Sequence, residues 1–288
     1  MEPDKPLSSP ASQPAGDSLN KCLAFFQKYL IDNNMSPHTI TAYVYSIKHF
    51  YTRYQELTPD TISLYKVYLM DHYQPQTVNM RIRALNSFMK FQGIKDYKVH
   101  ALRLQQKNFL DHVISQADYE YLKRRLWEDG QYTFYFIIRL ITATGVRVSE
   151  LVEFQVEDAQ KGFKDIYSKG NKMRRVYIPT SLQRDILAWL ASEARSCVPL
   201  FLSHLGRAMS ISGIRAQLKT FALRYQLDPQ VVYPHSFRHR FAKNFIEHGG
   251  DIAFLSSLLG HDSIETTRIY LRRTSTEQAG IINRVVDW

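Results

Sequence analysis

The last quarter of the chain carries residues whose types and spacing fit chemistry on a phosphate. It contains His235 and Arg238 three residues apart, His261 directly after a glycine, and Tyr270 nine residues further on. Histidine and arginine side chains can hold a phosphate in a water-poor pocket, and a tyrosine hydroxyl beside them can attack it. We therefore expect a site that cuts phosphodiesters and needs neither a metal ion nor another cofactor.

Two upstream segments carry further candidates for the same chemistry. In the segment TGVRVSEL, residues 144–151, Arg147 follows a helix-breaking glycine, and Glu150 three residues later lies on the same helix face. Glu150 could therefore orient Arg147 or a neighbouring group. Lys169 stands at the tip of a predicted hairpin, from which it could protonate a leaving oxygen.

Taken alone, each of these residues also has an ordinary structural explanation. Tyr270 is one of 18 tyrosines. An arginine with a glutamate three residues later is usually a surface ion pair, a lysine at a hairpin tip is usually solvated, and His261 could cap a helix. His235 and His239 have the spacing of a zinc-binding helix, but Ser236 stands where a metalloprotease has glutamate, which argues against zinc. The order and spacing of the whole set favour the phosphate site.

The hydrophobic pattern divides the chain into four parts. We expect a disordered tail at residues 1–17, a helical domain at 18–93, a basic linker at 94–112, and a second domain at 113–288 that ends in a helix. The first 16 residues contain four prolines and three serines and lack the apolar centre of a signal peptide. A length of 288 residues allows two domains with separate cores.

Helical periodicity dominates both domains, with one exception. Ser36-Pro37 and Thr58-Pro59 each place a capping residue before a proline at the first helical position, so a helix starts at each. In the second domain, residues 162–168 and 174–178 are predicted strands joined by a tight turn that contains glycine and asparagine. The fold class expected is mainly α with a small β-hairpin.

The chain is basic, with a formal net charge of +10. Residues 81–107 contain seven lysines and arginines against the single acid Asp96. Such a stretch is either a solvated helix face with a linker or a contact for a polyanion, and charge alone leaves both open. The periodicity of residues 78–91 turns Arg81 and Arg83 away from the core, so we expect both in solvent.

The sequence also argues against several classes of protein. No apolar run approaches the ~20 residues of a membrane span, so no membrane partner is expected. The two cysteines, Cys22 and Cys197, lie far apart and have no histidine or cysteine at metal-ligand spacing. These features fit a protein of the reducing cytoplasm.

Five motifs, taken in chain order, resemble those of the tyrosine recombinases of the phage integrase family. They are the TGVRVSEL segment, the hairpin sequence SKGNKMRRVYIP, the segment HSFRH at residues 235–239, LLGH ending at His261, and TTRIY ending at Tyr270. The resemblance covers residues 18–273, with specific motifs in the second domain. It is closest to the short Xer and integrase type, which lacks an extra N-terminal arm-binding domain.

The resemblance implies a two-domain, C-shaped clamp around DNA, made of a helical core-binding domain and a catalytic domain. It also implies that Tyr270 becomes joined to a DNA 3′ phosphate. Arg147 and Arg238 would clamp the scissile phosphate, Lys169 would protonate the 5′ hydroxyl, and His235 and His261 would assist the phosphate and the tyrosine proton. Lys172 competes with Lys169 for the acid role, although the Lys-Gly step favours Lys169.

The family further implies partners. The substrate would be double-stranded DNA recombination sites, bound by a homo-tetramer on paired sites or by a hetero-tetramer with a related recombinase, in the cytoplasm with the nucleoid. The candidate DNA contacts are Arg81, Arg83, Lys90, Lys172 and Arg174. The apolar C-terminal segment that ends in Trp288 would dock on a neighbouring subunit, with packing on its own core as the alternative. His239 lies next to the motif arginine and could act only locally.

Two other functions fit part of the pattern. A type IB topoisomerase uses similar chemistry on single duplexes, but the small helical first domain and the apolar C-terminal segment argue against it. A DNA-binding regulator that kept the fold and lost the reaction would not need a complete catalytic set. We therefore expect site-specific DNA cleavage and rejoining through a covalent phosphotyrosine, without ATP or metal.

Overall fold

The computed structural model describes residues 16–94, 97–103, 112–168, 172–195, 199–271, 282–283 and 286. The chain divides into two compact units, Met1–Gln106 and Lys107–Trp288. Within the described ranges the secondary structure is helical apart from one two-stranded sheet and two isolated β-bridges. The predicted fold class, mainly helical with one small hairpin, is confirmed.

Among its described residues, the first unit contains four helices. They are α1 (Gly16–Asp32), α2 (Pro37–Tyr51), α3 (Pro59–His72) and α4 (Pro75–Phe91). The predicted starts of α2 and α3 are confirmed, since Ser36 and Thr58 each accept a hydrogen bond from a backbone N–H of the first turn. Helix α4 begins three residues before the predicted position because Pro75 fits the first helical position.

The core of the first unit holds one arginine that was expected in solvent. Arg81 is only 5% exposed. Its guanidinium lies 4.3 Å from the centre of the Tyr73 ring, and its Nη1 lies 3.4 Å from the hydroxyl of Tyr65. The predicted orientation of Arg81 is therefore wrong, because aromatic rings let α4 bury a wider face than its apolar residues indicate. Arg83 and Lys90 are exposed, as predicted for Arg83.

Residues 97–103, which follow α4, pack along that helix. The backbone N–H and C=O of Val99 both bond to the side chain of Asn86, and those of Leu102 bond to the side chain of Asn79. Val99 is also buried in the core of the first unit. The early part of the predicted linker therefore extends this unit, and the compact division falls after Gln106.

The described part of the second unit is built around a larger helical core. Its elements are α5 (Gln116–Glu128), α6 (Tyr132–Thr144), α7 (Val148–Leu151), α8 (Val156–Lys161), β1 (Phe163–Ser168), β2 (Lys172–Tyr177), α9 (Thr180–Ser192), α10 (Ile211–Arg224), α11 (Pro234–Glu247), α12 (Ile252–Leu259), α13 (Ile264–Arg268) and a 3₁₀ turn (Ile269–Leu271). Helix α7 lies where a helix start was expected after Gly145, with Arg147 as its N-cap. Helix α8 was not predicted, because six residues are too few to show a helical period.

The predicted hairpin is confirmed as an antiparallel pair. Phe163 stands opposite Tyr177, and Ser168 stands opposite Lys172. The connecting residues 169–171 lie outside the described residues, so Lys169 does too, and the same holds for the side chain of Lys172.

Three other sequence predictions fall wholly or mainly outside the described residues. They concern the N-terminal tail, Cys197, and the C-terminal apolar helix with Trp288. No helix in the part of the chain that the structure describes combines the length and apolar character that a membrane crossing requires.

Candidate active site

Three arginines from three different elements meet at the C-terminal end of α12. Arg174, Arg238 and Arg147 donate hydrogen bonds to the carbonyl oxygens of Leu258, Leu259 and Gly260 at 3.1, 2.7 and 3.1 Å, respectively. The last carbonyls of a helix have no partner within the helix and carry partial negative charge, so they attract cations. The end of α12 therefore gathers the positive charges of the site.

Two glycines make this gathering possible. Gly145 ends α6 and Gly260 ends α12, both in the left-handed region, with φ of 67° and 62°. A Cβ on Gly260 would lie 2.8 Å from Nη1 of Arg174, and one on Gly145 would lie 2.4 Å from the Phe241 ring. The carbonyl of Gly145 also accepts a hydrogen bond from Arg238. A side chain at either glycine would push apart the groups that the helix ends bring together.

Glu150 is the carboxylate of the arginine cluster. Its Oε1 accepts from Nη1 of Arg147 at 2.9 Å, and its Oε2 accepts from the Arg147 backbone N–H at 2.8 Å and from Nη2 of Arg174 at 2.6 Å. Burial alone would raise the pKa of Glu150, but the hydrogen bonds from Arg174 and Arg147 outweigh it, and the pKa is lowered. An ionised Glu150 thus fixes both arginines.

Arg238 is almost completely buried, with 1% of its surface exposed. Besides the carbonyls of Gly145 and Leu259, it donates to Nε2 of His261 at 3.1 Å. Burial first, and then the nearby charge of Arg147, lower the pKa of Arg238 to about 10. Arg238 therefore stays charged at neutral pH, in a place where its field is weakly screened by water.

His261 is held as a neutral acceptor. Because Arg238 has only donors, Nε2 of His261 accepts, so the ring proton is on Nδ1, which lies 2.9 Å from the hydroxyl oxygen of Thr267. Burial and the charges of Arg238 and Arg147 lower the pKa of His261 to about 4. Because the buried Thr267 bonds to Nδ1, it orients the His261 ring so that Nε2 faces Arg238.

Tyr270 lies in the 3₁₀ turn and is 5% exposed. Its hydroxyl is 3.0 Å from Nδ1 of His239, and its ring stacks on the ring of His261 with centroids 6.4 Å apart. Burial raises the pKa of the Tyr270 phenol, while Arg238 and Arg147 pull it in the opposite direction. The phenol thus lies among the arginines as an un-ionised nucleophile.

The other predicted site residues differ in how deeply they are buried and in whether the structure describes them. His235 is exposed overall, and its ring centre lies 4.6 Å from that of His239. Partial desolvation and the charges of Arg238, Arg147 and Arg215 lower its pKa. Arg174, a predicted DNA contact, lies within the cluster, with its side chain 10% exposed and bonded to Glu150. The structure therefore gathers all the predicted catalytic residues except Lys169, which lies outside the described residues.

Sequence reasoning missed Thr267 and the carbonyls of α12 as parts of the site, and it gave His239 no more than a local role. His239 lies one helical turn after His235, and Thr267 lies three residues before Tyr270, so periodicity could have placed both near the phosphate. The carbonyl oxygens carry no side-chain signal and could not have been found this way.

The described charges of the site suit an anion. Three guanidinium groups face one carboxylate, and burial and nearby positive charge favour the neutral form of the histidines. The excess positive charge lies beside a tyrosine hydroxyl. A phosphodiester would satisfy the arginines, and the additional charge of a pentacovalent phosphorus would be stabilised further. The arrangement can therefore support attack of Tyr270 on phosphorus.

Comparison with known proteins gives consistent matches for both units. Residues 112–277 match the phage integrase family, and residues 23–93 match the phage integrase N-terminal SAM-like domain. The chain is 27% identical to Tyrosine recombinase XerA of Pyrococcus furiosus, over 92% of this chain and 94% of the relative. It is 28% identical to Tyrosine recombinase XerD of Halalkalibacterium halodurans, over 89% and 93%.

Solved structures share the fold at low sequence identity. A Tn1549 transposon integrase in complex with transposon right end DNA gives a TM-score of 0.70 at 14% identity, over 92% of this chain and 99% of that one. A lambda integrase dimer bound to a COC' core site gives 0.70 at 16% identity, over 87% and 94%. The chain therefore belongs to the phage integrase family, and it is a tyrosine-type site-specific recombinase.

The contact between Thr267 and His261 gives a first prediction. Thr267→Val keeps the shape of the side chain and removes the acceptor for the Nδ1 proton of His261. We expect recombination of cognate DNA to slow by about tenfold, the effect of one neutral hydrogen bond. Thr267→Ser keeps the hydroxyl and should stay within about threefold of wild type. Equal rates for the valine and serine variants would contradict the assignment.

Three half-buried histidines predict acid sensitivity of the fold. The pKa is lowered to about 4 in His49 and His261 and to about 3 in His239, below the ~6.5 of an unfolded chain. As pH falls below 6.5, the unfolded chain takes up protons that the folded chain refuses. Each histidine therefore costs at most about 1.4 kcal/mol of stability per pH unit until its folded pKa is reached.

Thermal unfolding followed by circular dichroism measures this effect. We expect the midpoint to fall between pH 7 and pH 5, and His204→Gln, on an exposed loop, should leave the slope unchanged. A midpoint that stays constant across this range would contradict the prediction.

Proposed function

We propose that this recombinase cleaves and rejoins double-stranded DNA at specific sites through a covalent 3′-phosphotyrosine at Tyr270. The observation that carries the proposal is the placement of the Tyr270 phenol beside Arg238, within reach of the charges that Arg147 also supplies. Such a placement stabilises a phosphorus that gains negative charge as the phenol oxygen attacks.

The proposed step exchanges one phosphate ester for another. The bond from the Tyr270 oxygen to phosphorus forms, and the bond to the 5′ oxygen of the next nucleotide breaks. One proton leaves the phenol and one reaches the 5′ oxygen, so ester bond energy is conserved and neither ATP nor a metal is consumed. A 5′ hydroxyl from another strand reverses the step and seals the exchanged product.

Each candidate has a part in this step. Arg147 and Arg238 hold the non-bridging oxygens, and His235 and His261 assist the phosphate and the phenol proton. Family resemblance supports Lys169, rather than Lys172, as the acid for the 5′ oxygen. Arg174 is proposed to orient Glu150, since its guanidinium is bonded to that carboxylate and to the carbonyl of Leu258, and it stays a candidate DNA contact.

The first unit is proposed to bind the duplex. Arg83 and Lys90 are exposed on α4, and exposed cations bind DNA by releasing counterions from its phosphates. Changing either to Gln should lower the slope of log affinity against log salt by about one. Electrophoretic mobility shift at several salt concentrations measures the slope, and Lys21→Gln, an exposed lysine on α1, is the control. An unchanged slope in both variants would remove α4 from the DNA interface.

Strand exchange between two sites requires several subunits. We propose a tetramer on paired sites, formed by four copies or with a related recombinase, and C-terminal segments that dock between neighbours. Light scattering of the synaptic complex tests the stoichiometry, and deletion of residues 277–288 should lower the yield of tetramer while leaving binding to one site intact.

Trapping the intermediate tests the reaction itself. In a duplex nicked close to the cleavage site, attack releases a short fragment that begins with the freed 5′ hydroxyl. This fragment diffuses away, so religation fails and the adduct accumulates. Mass spectrometry of the digested adduct should find the nucleotide on Tyr270 through a 3′ phosphate. Site-independent relaxation of supercoiled plasmid by single subunits would instead indicate a type IB topoisomerase, and tight binding without any adduct would indicate a regulator.

A further inference from the structure

The hydroxyl of Tyr270 is bonded to a residue, His239, that has no part in the reaction proposed so far. Nδ1 of His239 lies 3.0 Å from this hydroxyl, and the two ring centres are 5.4 Å apart. His239 follows Arg238 directly in α11, so one helix supplies both neighbours of the phenol oxygen. The contact thus joins the nucleophile to the same rigid element that carries a phosphate-binding arginine.

The direction of this hydrogen bond follows from the charges around it. The positive charges of Arg238 and Arg147 attract the phenol oxygen and repel its proton. The phenol proton therefore points to Nδ1 of His239, and the proton of this ring is on Nε2. Burial and the charge of Arg238 favour the neutral ring, which keeps Nδ1 an acceptor.

We propose that His239 is a positioning residue that orients the Tyr270 hydroxyl for attack. By taking the phenol proton into a hydrogen bond on one side, it leaves an oxygen lone pair on the side of Arg238, where the phosphate binds. The inference rests on the proposed role of Tyr270 as the nucleophile. It assigns to the histidine after the motif arginine an orienting function that needs an acceptor at the δ position.

Two amide substitutions separate this role from others. In His239→Asn the amide oxygen can take the place of Nδ1, whereas in His239→Gln the amide reaches the position of Nε2 instead. Both side chains are polar and uncharged, and neither can act as a base at neutral pH. Single-turnover adduct formation on a nicked duplex should remain within about threefold of wild type for His239→Asn and fall about tenfold for His239→Gln.

A second substrate locates the effect on the nucleophile. When sulfur replaces the bridging 5′ oxygen, the thiolate leaves without a proton, so defects in leaving-group protonation disappear. The difference between the asparagine and glutamine variants should persist, because orientation of the phenol does not depend on the leaving group. Its disappearance would place His239 on the leaving-group side and overturn the proposal.

The remaining outcomes also decide the question. Mobility shift and thermal unfolding establish that both variants fold and bind DNA. If the two variants then react equally fast, or if asparagine is as slow as glutamine, an acceptor at the δ position is not what matters and the proposal fails. If wild type forms no adduct at all, the proposed reaction fails instead, and the two failures are thereby distinguished.

Discussion

Tyr270→Phe is expected to abolish covalent protein–DNA adducts on a nicked duplex while leaving DNA binding intact. Only the hydroxyl is removed, and no other group at that position can form the ester. A loss of about 10⁴-fold or more is expected, in line with removal of other enzymatic nucleophiles. The buried ring keeps its packing, and the fold loses only the hydrogen bond to His239.

Denaturing gel electrophoresis of end-labelled DNA after reaction measures the adduct directly. Tyr225→Phe is the matched control, because it also removes a tyrosine hydroxyl bonded to one partner, Asp129 at 2.9 Å. This control should form adducts at the wild-type rate. Adducts that persist in Tyr270→Phe would show that another residue attacks.

Arg238→Lys is expected to have the second largest effect. A lysine keeps the charge, but one ammonium cannot bond at once to the carbonyls of Gly145 and Leu259, to His261 and to a phosphate. We expect adduct formation to slow by about 10²–10³-fold, the usual cost of losing a group that stabilises charge in the transition state. Unfolding should also become easier by about 1–3 kcal/mol for each buried acceptor left without a donor.

Arg240→Lys on the same helix separates the two effects. Arg240 is also buried, at 7% exposure, and donates to the carbonyl of Ile114. Its replacement should lower thermal stability without a comparable fall in the rate of adduct formation. If both variants lost the rate equally, the effect of Arg238 would be structural and its place in the phosphate site would be contradicted.

Most of the site in the second unit could be predicted because its reactive side chains occur in motifs that follow one another in a characteristic order along the chain. The helix starts at Ser36 and Thr58 and the hairpin were also visible, since capping residues, prolines and glycines act locally. These signals depend on neighbours within a few residues, so they determine the local structure whatever packs against it.

The failures concern residues whose position depends on distant partners. Arg81 appeared to be a solvent-facing cation, and aromatic rings from other helices buried it. The bond of Arg174 to Glu150, 24 residues away in the chain, was not predicted, while its contact with DNA stays a prediction. Periodicity reports which face of a helix is apolar, but it contains no information on which cation a remote carboxylate will bind.

Three arginines bond to the last carbonyl oxygens of α12. The position of this helix therefore fixes the positions of all three guanidinium groups of the proposed phosphate site. The same helix leads through α13 to the turn that carries Tyr270, so a displacement of α12 would shift the cations and the nucleophile in concert. Losses from substitutions at Arg147, Arg174 and Arg238 should therefore not add up, because the first loosens what the others share. We expect that loosening any one of these three attachments impairs the whole site.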